Sequence, residues 1–159
     1  MEDRITPSGH VKIEIIRASG IKLIDQEGPN TIHLDLKHKM ASACVVATTA
    51  FGVMNSAFDN DDFSTPTNGE SGIYITDTSA VKYQMVTSLD ASSAYSFTCK
   101  GVARASQSYT IDTANLGHGY STGNGDFDVQ FSSYDFSPNI TLADGDQLNV
   151  TWQVTIANS

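Results

Sequence analysis

The final strand of the chain limits the possible folds more than any other segment. From Leu148 to Ile156, apolar and polar residues alternate without a break. Side chains in a β-strand point to opposite faces in turn, so five apolar residues share one face: Leu148, Val150, Trp152, Val154 and Ile156. A register shift of one residue would expose all five, so the pattern predicts a strand that covers a hydrophobic core. The turn Asp144-Gly145-Asp146 before it has the residues of a tight hairpin entry.

Shorter alternating segments separated by Gly, Asp, Asn and Ser predict further strands along the chain. Val11 to Ile15 and Ile21 to Ile24 indicate an N-terminal β-hairpin. A three-stranded meander is expected later, followed by a short strand, a glycine-rich loop and another strand. In order, these lie at Ile73–Ile75, Val81–Met85, Tyr95–Cys99, Ser108–Ile111, Leu116–Asp126 and Phe127–Phe131. The whole predicts a mainly β protein, an antiparallel β-sandwich of about nine strands with jelly-roll-like connectivity.

One segment has helical rather than strand periodicity. After the break at Gly28-Pro29-Asn30, the apolar residues Ile32, Leu36 and Met40 recur every four residues. This spacing predicts one short amphipathic helix near residues 31–43, which would cover an edge or a face of the sandwich. Asn30 or Thr31 would cap its first turn.

The length of 159 residues fits a single core. We expect an N-terminal arm over residues 1–9 and one β-sandwich domain over residues 10–159. The N-terminus has no apolar core of a signal peptide, and no apolar stretch approaches the roughly 18 residues of a membrane span. We therefore expect no membrane association and a chain that is made in a cytosol.

The distribution of charge argues against nucleic acid as a partner. The formal net charge is −9, and no Lys or Arg occurs between Met40 and Val81 or after Arg104. Eleven of the eighteen acidic residues lie in those two stretches. A surface without cations cannot neutralise phosphates, so we expect neither nucleic acid nor anionic lipid to bind.

Motifs for catalysis or cofactor binding are not evident. His33 and His38 are five residues apart and would diverge on a helix, and neither a phosphate-binding glycine loop nor a nucleophile elbow occurs. We expect a non-enzymatic protein without a cofactor. The loop acids Asp59, Asp61 and Asp62 are weak candidates for Ca²⁺ ligands, with a solvated acidic loop as the main interpretation.

Aromatic residues near predicted loops are candidates for contacts. Tyr109, Tyr120 and Tyr134 could either join a protein interface or stack on sugars, which keeps a glycan-binding module open as an alternative. Phe58 and Phe63 flank the acidic loop. Cys44 and Cys99 are either two buried thiols or one disulfide.

Three segments in this order resemble small structural proteins of tailed bacteriophages: GHVKIEII near the start, the Gly28-Pro29-Asn30 break, and the closing LADGDQLNVTWQVTI. The resemblance covers about a third of the chain. It implies a virion structural protein with no catalytic residues, in particular a capsid decoration or cement protein. Its partners would be further copies of itself, for example in a trimer, and virion proteins such as the major capsid protein.

Two further expectations accompany this resemblance. A neck, tail or fibre-base protein is the nearest alternative role. The expected contact residues are Ile5 and Pro7 in the N-terminal arm together with Phe58, Phe63, Tyr109, Tyr120 and Tyr134.

Overall fold

A computed structural model of the chain describes residues 5–32, 63, 72–90, 96–121 and 123–158. These residues form two antiparallel sheets of five strands each. The strands are β1 (Ile5–Ile16), β2 (Lys22–Pro29), β3 (Thr31–Ile32), β4 (Gly72–Asp77), β5 (Lys82–Gln84), β6 (Val86–Asp90), β7 (Ser96–Arg104), β8 (Tyr109–Ser121), β9 (Asp126–Leu142) and β10 (Gln147–Asn158). Sheet A has the order β2-β1-β10-β7-β6, and sheet B has the order β3-β9-β8-β4-β5.

The chain is mainly β, as the alternating segments predicted, and the described residues contain no helix. Side chains from both sheets meet in one hydrophobic core. Sheet B contributes Ile73 and Ile75 from β4, and Ile111, Ala114 and Leu116 from β8. Two sheets around a shared core make the architecture β-sandwich-like.

Strand β10 occupies the centre of sheet A, between β1 and β7. Leu148, Val150, Trp152 and Val154 are completely buried, which confirms the register predicted for this strand. Opposite them on β1 lie Ile15, Ile13 and Val11. Cys99 of β7 lies opposite Trp152. The most regular alternation in the sequence therefore forms the inner face of sheet A.

The predicted N-terminal hairpin is confirmed by the pairing of β1 with β2. A tight turn joins them, in which the amide of Arg17 donates to the carbonyl of Ile21 over 2.8 Å. Gly20 has a φ of 85°, a conformation that suits a residue without a side chain. Strand β1 begins at Ile5, within the segment that we predicted as an arm, because its first residues pair with the end of β10.

The predicted meander is wrong in its connectivity. Strands β4 and β5 form a hairpin in sheet B, whereas β6 and β7 belong to sheet A. The chain changes sheets at Met85, which is completely buried and whose amide donates to the carbonyl of Ile73. A strand that crosses between two layers keeps the same apolar alternation, so the sequence pattern does not distinguish this crossing from a turn within one sheet.

The glycine-rich segment Leu116–Asp126 is also different from its prediction as a loop. Strand β8 continues to Ser121 and pairs with β9 up to the turn. A side chain at Gly117 would overlap the ring of Phe127, since an added Cβ would lie 2.4 Å from a ring carbon. Glycine is therefore used here for close packing within a strand rather than for loop freedom.

The beginning of the predicted helix is wrong. Thr31 and Ile32 form the short strand β3, paired with Ser133 and Ser132 of β9. Asn30 does not cap a helix; its side-chain amide donates to the hydroxyl of Ser132. Residues 33–43 lie outside the described residues, so the remainder of the helix stays a prediction.

The carboxylate of Asp146 connects two turns at one corner of the molecule. It accepts hydrogen bonds from the amides of Ala18 and Ala143, at 3.0 and 2.9 Å. It also forms an ion pair with the guanidinium of Arg17, at 2.6 Å. We name this group the Asp146 clamp. It holds the β1–β2 turn against the β9–β10 turn.

The pKa of Asp146 reflects two opposing effects. Burial raises it, but the amide hydrogen bond from Ala143, the Arg17 ion pair and the amide of Ala18 together lower it below its usual value of 3.8. A carboxylate whose pKa is lower in the folded state stabilises the fold above its unfolded-state pKa. That stabilisation is lost as the pH falls through the lowered value.

We predict that Trp152→Ala lowers the free energy of unfolding by about 3–5 kcal/mol, because it leaves a cavity in the core. Trp152→Phe should cost less, since the indole N–H has no hydrogen-bond partner among the described residues and its removal leaves no polar group unpaired. Gln153→Ala, on the exposed side of the same strand, is the control. Urea unfolding followed by circular dichroism gives the comparison. Equal losses for Trp152→Ala and Gln153→Ala would contradict the assigned register.

We predict that Asp146→Asn lowers stability at pH 7 by about 1–3 kcal/mol, the scale of a buried charged hydrogen-bonding group. The difference from the unchanged protein should shrink as the pH falls from about 3.8 through the lowered pKa of Asp146, where the native carboxylate becomes protonated. Thermal unfolding from pH 7 to pH 2 measures this, with the exposed Asp144→Asn as the matched control. A deficit that persists unchanged at pH 2 would show that the charge of Asp146 is not involved.

Candidate functional site

Two of the aromatic contact candidates lie in the core rather than on the surface. Phe63 is 9% exposed and Tyr109 is 7% exposed. Their rings are in edge-on contact with centroids 4.9 Å apart, and Tyr83 packs against both. Both rings thus contribute to the core, and a contact role for Phe63 and Tyr109 stays a prediction. Tyr109 also has no free ring face on which a sugar could stack.

The other contact candidates are distributed over separate parts of the fold. Tyr134 of β9 is half-buried and packs against Phe136. Tyr120 lies near the end of β8, opposite Phe127. Ile5 and Pro7 lie on β1, opposite Asn158 and Ile156 of β10.

Several predicted features lie outside the described residues. They include Phe58 and the possible calcium ligands Asp59, Asp61 and Asp62. Cys44 lies outside them too, so its state stays open. Cys99 is a free buried thiol, and burial raises its pKa to about 12, which keeps it protonated and unreactive at neutral pH.

The outward side chains of sheet A form a broad polar surface, which we name the sheet A face. They alternate with the core positions and line up in rows across the strands. Lys12, Thr151 and Lys100 form one row across β1, β10 and β7. Glu14, Asn149 and Val102 form the next. The alternation of these positions with the core residues is visible in the sequence, but their alignment in rows depends on the pairing of three strands.

The centre of this surface is concave. A cavity of about 230 Å³ is lined by the side chains of Glu14, Lys100, Val102, Asn149 and Thr151, with the backbone of Gly101 and Val150. We name it the sheet A trough. Its floor consists of the short polar residues of β10, and its walls are the longer residues of β1 and β7.

The charged side chains at the trough differ in their ion pairs. Glu14 accepts ion pairs from Lys22 at 2.8 Å and from Lys12 at 3.2 Å. The hydrogen bond from Lys22 lowers the pKa of Glu14, which outweighs the opposing effect of burial, and Lys12 lowers it further. Lys100, on the opposite wall, has no ion-pair partner among the described residues. Counted with Lys12 and Lys22, which pair with Glu14 beside the lining residues, the trough has three cations and one anion.

The wider face shows the same excess. Among the described outward side chains of β1, β2, β7 and β10, four are cationic (Lys12, Lys22, Lys100 and Arg104) and two are anionic (Glu14 and Glu27). The whole chain has the opposite ratio, with nine basic and eighteen acidic residues. On these four strands the described outward side chains therefore have more positive than negative charge, unlike the chain as a whole.

A second surface feature is apolar. Ile21 directly precedes edge strand β2 and Leu23 lies in it, with exposed fractions of 59% and 43%. Leu23 lies opposite the buried Ile15, so its side chain lies on the inner side of sheet A, at the edge of the sheet. Large apolar side chains that remain exposed beside a core are common at protein contacts. We name this pair the β2 apolar edge.

No protein-family model matches the chain, and the comparisons with curated proteins and with solved structures gave no match either. Within the described ranges, no three His, Cys, Asp or Glu side chains are grouped as a metal site. The same ranges contain no helix long and apolar enough to cross a membrane.

Proposed function

We propose that this chain is a non-enzymatic structural protein of a tailed-phage virion, a decoration or cement protein on the capsid. The proposal joins the sequence resemblance to one structural observation, the β2 apolar edge. A cement protein acts by covering surface on neighbouring subunits, so that many modest contacts add together. Its chemistry is therefore that of exposed apolar and polar surfaces.

The β2 apolar edge supports this role because its exposure is unusual for this fold. Among the described core side chains of sheet A, Val11, Ile13 and Trp152 are completely buried. Ile21 and Leu23 stay in contact with water at the margin of the same core. Covering them with a partner would remove apolar surface from water, which favours association.

The residues of β2 favour contact through side chains over backbone pairing with a strand of another molecule. As the edge strand of sheet A, β2 has an outer backbone edge that another strand could join. Lys22 and Pro29 stand at its two ends, and charges and prolines on an edge disfavour such pairing. Because strand pairing is disfavoured, a contact at this edge would be limited to the exposed side chains on a particle surface.

The ends of the strand pair β1 and β10 also suit an assembly role. The pairing runs from Ile5 opposite Asn158 to Ile16 opposite Gln147. Ile5, the first residue of β1, therefore lies beside the end of β10. A short N-terminal arm at that place, with Ile5 and Pro7 at its base, would be positioned to contact a neighbouring subunit.

A location in the neck, tail or fibre base is the second form of this proposal. Copy number separates the two, with hundreds of copies expected on a head and a few dozen or fewer in a tail. Jelly-roll-like connectivity and a helix over residues 33–43 belong to the same proposal.

A glycan-binding module is less favoured. That hypothesis used Tyr109, Tyr120 and Tyr134 as sugar-stacking residues, and Tyr109 is buried.

We predict that replacing both residues of the β2 apolar edge, Ile21→Ser with Leu23→Ser, weakens binding to particles at least tenfold. The double substitution removes apolar surface worth about 1–2 kcal/mol per side chain when a partner covers it. Purified variants are added to particles that lack the protein, and bound copies are counted by quantitative mass spectrometry.

Val81→Ser is the matched control, since Val81 is 47% exposed but lies at the β4–β5 turn of the other sheet. Urea unfolding establishes that each variant is folded. Binding of the double variant at the unchanged level would contradict the role of this edge. Failure of the unchanged protein to bind any particle would contradict the proposed function itself.

A further inference from the structure

We infer that copies of this chain contact one another head to tail, with the tip of the β8–β9 hairpin of one copy in the sheet A trough of the next. The inference rests on the proposed function, because it names the contact through which a self-assembling virion protein would oligomerise. Charge complementarity between these two surfaces carries it.

The acceptor side of this contact is the trough. Lys100 offers an ammonium group without an ion-pair partner among the described residues. The amide of Asn149 and the hydroxyl of Thr151 line the floor beside it. An unpaired ammonium next to polar hydrogen-bonding groups matches a carboxylate better than a neutral or cationic group. The expected occupant is therefore an acidic side chain.

The donor side is the tip of the β8–β9 hairpin, which we define as residues Gly123–Asp128. Asp126 and Asp128 are both exposed and lie two residues apart at the start of β9. Their side chains therefore share one face of the strand, roughly 7 Å apart. Asp128 has no ion-pair partner in the described part of the chain.

The tip is held in place before any partner arrives. The amide of Gly125 donates to the carbonyl of Ser121 at 2.9 Å, and Gly125 has a φ of 72°. The ammonium of Lys82 donates to the carbonyl of Gly125 at 2.5 Å. The side chain of Asn124 accepts the amide of Asp126 at 3.1 Å. A preorganised tip loses little conformational entropy on docking, which favours binding.

The position of the two surfaces determines the type of assembly. The trough opens on the outer face of sheet A, whereas the tip belongs to sheet B on the other side of the core. The tip of one copy therefore cannot fill the trough of the same copy. A contact between two different surfaces is heterologous, and repetition of it closes a ring, such as a trimer, or extends a chain.

The test is a charge exchange measured by sedimentation velocity over a range of protein concentrations. The unchanged protein should associate, and added salt should weaken the association. Lys100→Asp alone and Asp128→Lys alone should each raise the dissociation constant tenfold or more, because each places like charges in contact. The two substitutions together should restore association, since they rebuild the ion pair with exchanged charges.

Two controls change charge outside the contact. Arg104→Asp reverses a cation on the same face beyond the trough, and Asp144→Lys reverses an exposed acid in another turn. Both should associate like the unchanged protein. Circular dichroism checks that every variant is folded.

Three results would overturn the inference: an unchanged protein that stays monomeric at all concentrations, a Lys100→Asp variant that associates normally, or an exchange variant that is not restored. These results do not affect the proposed function, which depends on the presence of the chain in particles. Conversely, the copies could associate with one another while no copy binds to particles. That result would support the head-to-tail contact and contradict the virion role.

Discussion

The inward face of β10 is the constraint on which the rest of this structure depends. Trp152 and its apolar neighbours on β10 are buried in the core, and a register shift would expose them to water. Strand β10 therefore lies at the centre of sheet A with a fixed register. The pairing with β1 and β7 follows from that register. It also determines which residues point outward, and so places Lys12, Thr151 and Lys100 in one row. The polar surface is thus a consequence of core packing.

The Asp146 clamp fixes two turns at one corner of the molecule. It joins the turn that begins β2 to the turn that begins β10 through one buried carboxylate. The β2 apolar edge starts directly after the clamped turn, so Ile21 and Leu23 are presented by a fixed segment rather than by a free loop. A rigid base of this kind lowers the entropic cost of making contacts with a neighbour. The ion pair of Asp146 and the β2 apolar edge therefore lie at the same corner of the molecule.

The sequence predicted those parts of the fold in which local pattern and tertiary position agree. The alternation in β10 and in the N-terminal hairpin could be read directly, because each strand has one buried face. The crossing at Met85 could not be predicted, since a strand keeps its alternation when it passes from one sheet to the other. Gly117 was misread for a related reason: a glycine that makes room for Phe127 looks the same in sequence as a glycine in a loop. The trough depends on neighbours across three strands, which no local pattern reveals.

The central claim is that this β-sandwich-like subunit works through its surfaces in an assembled particle. The most direct measurement is the density of intact particles at a resolution that shows side chains. The account predicts repeated copies of the two-sheet fold in that density, with the β2 apolar edge covered by a neighbouring subunit. Particles that lack the chain, together with a substrate bound in a cleft of the isolated monomer, would contradict it.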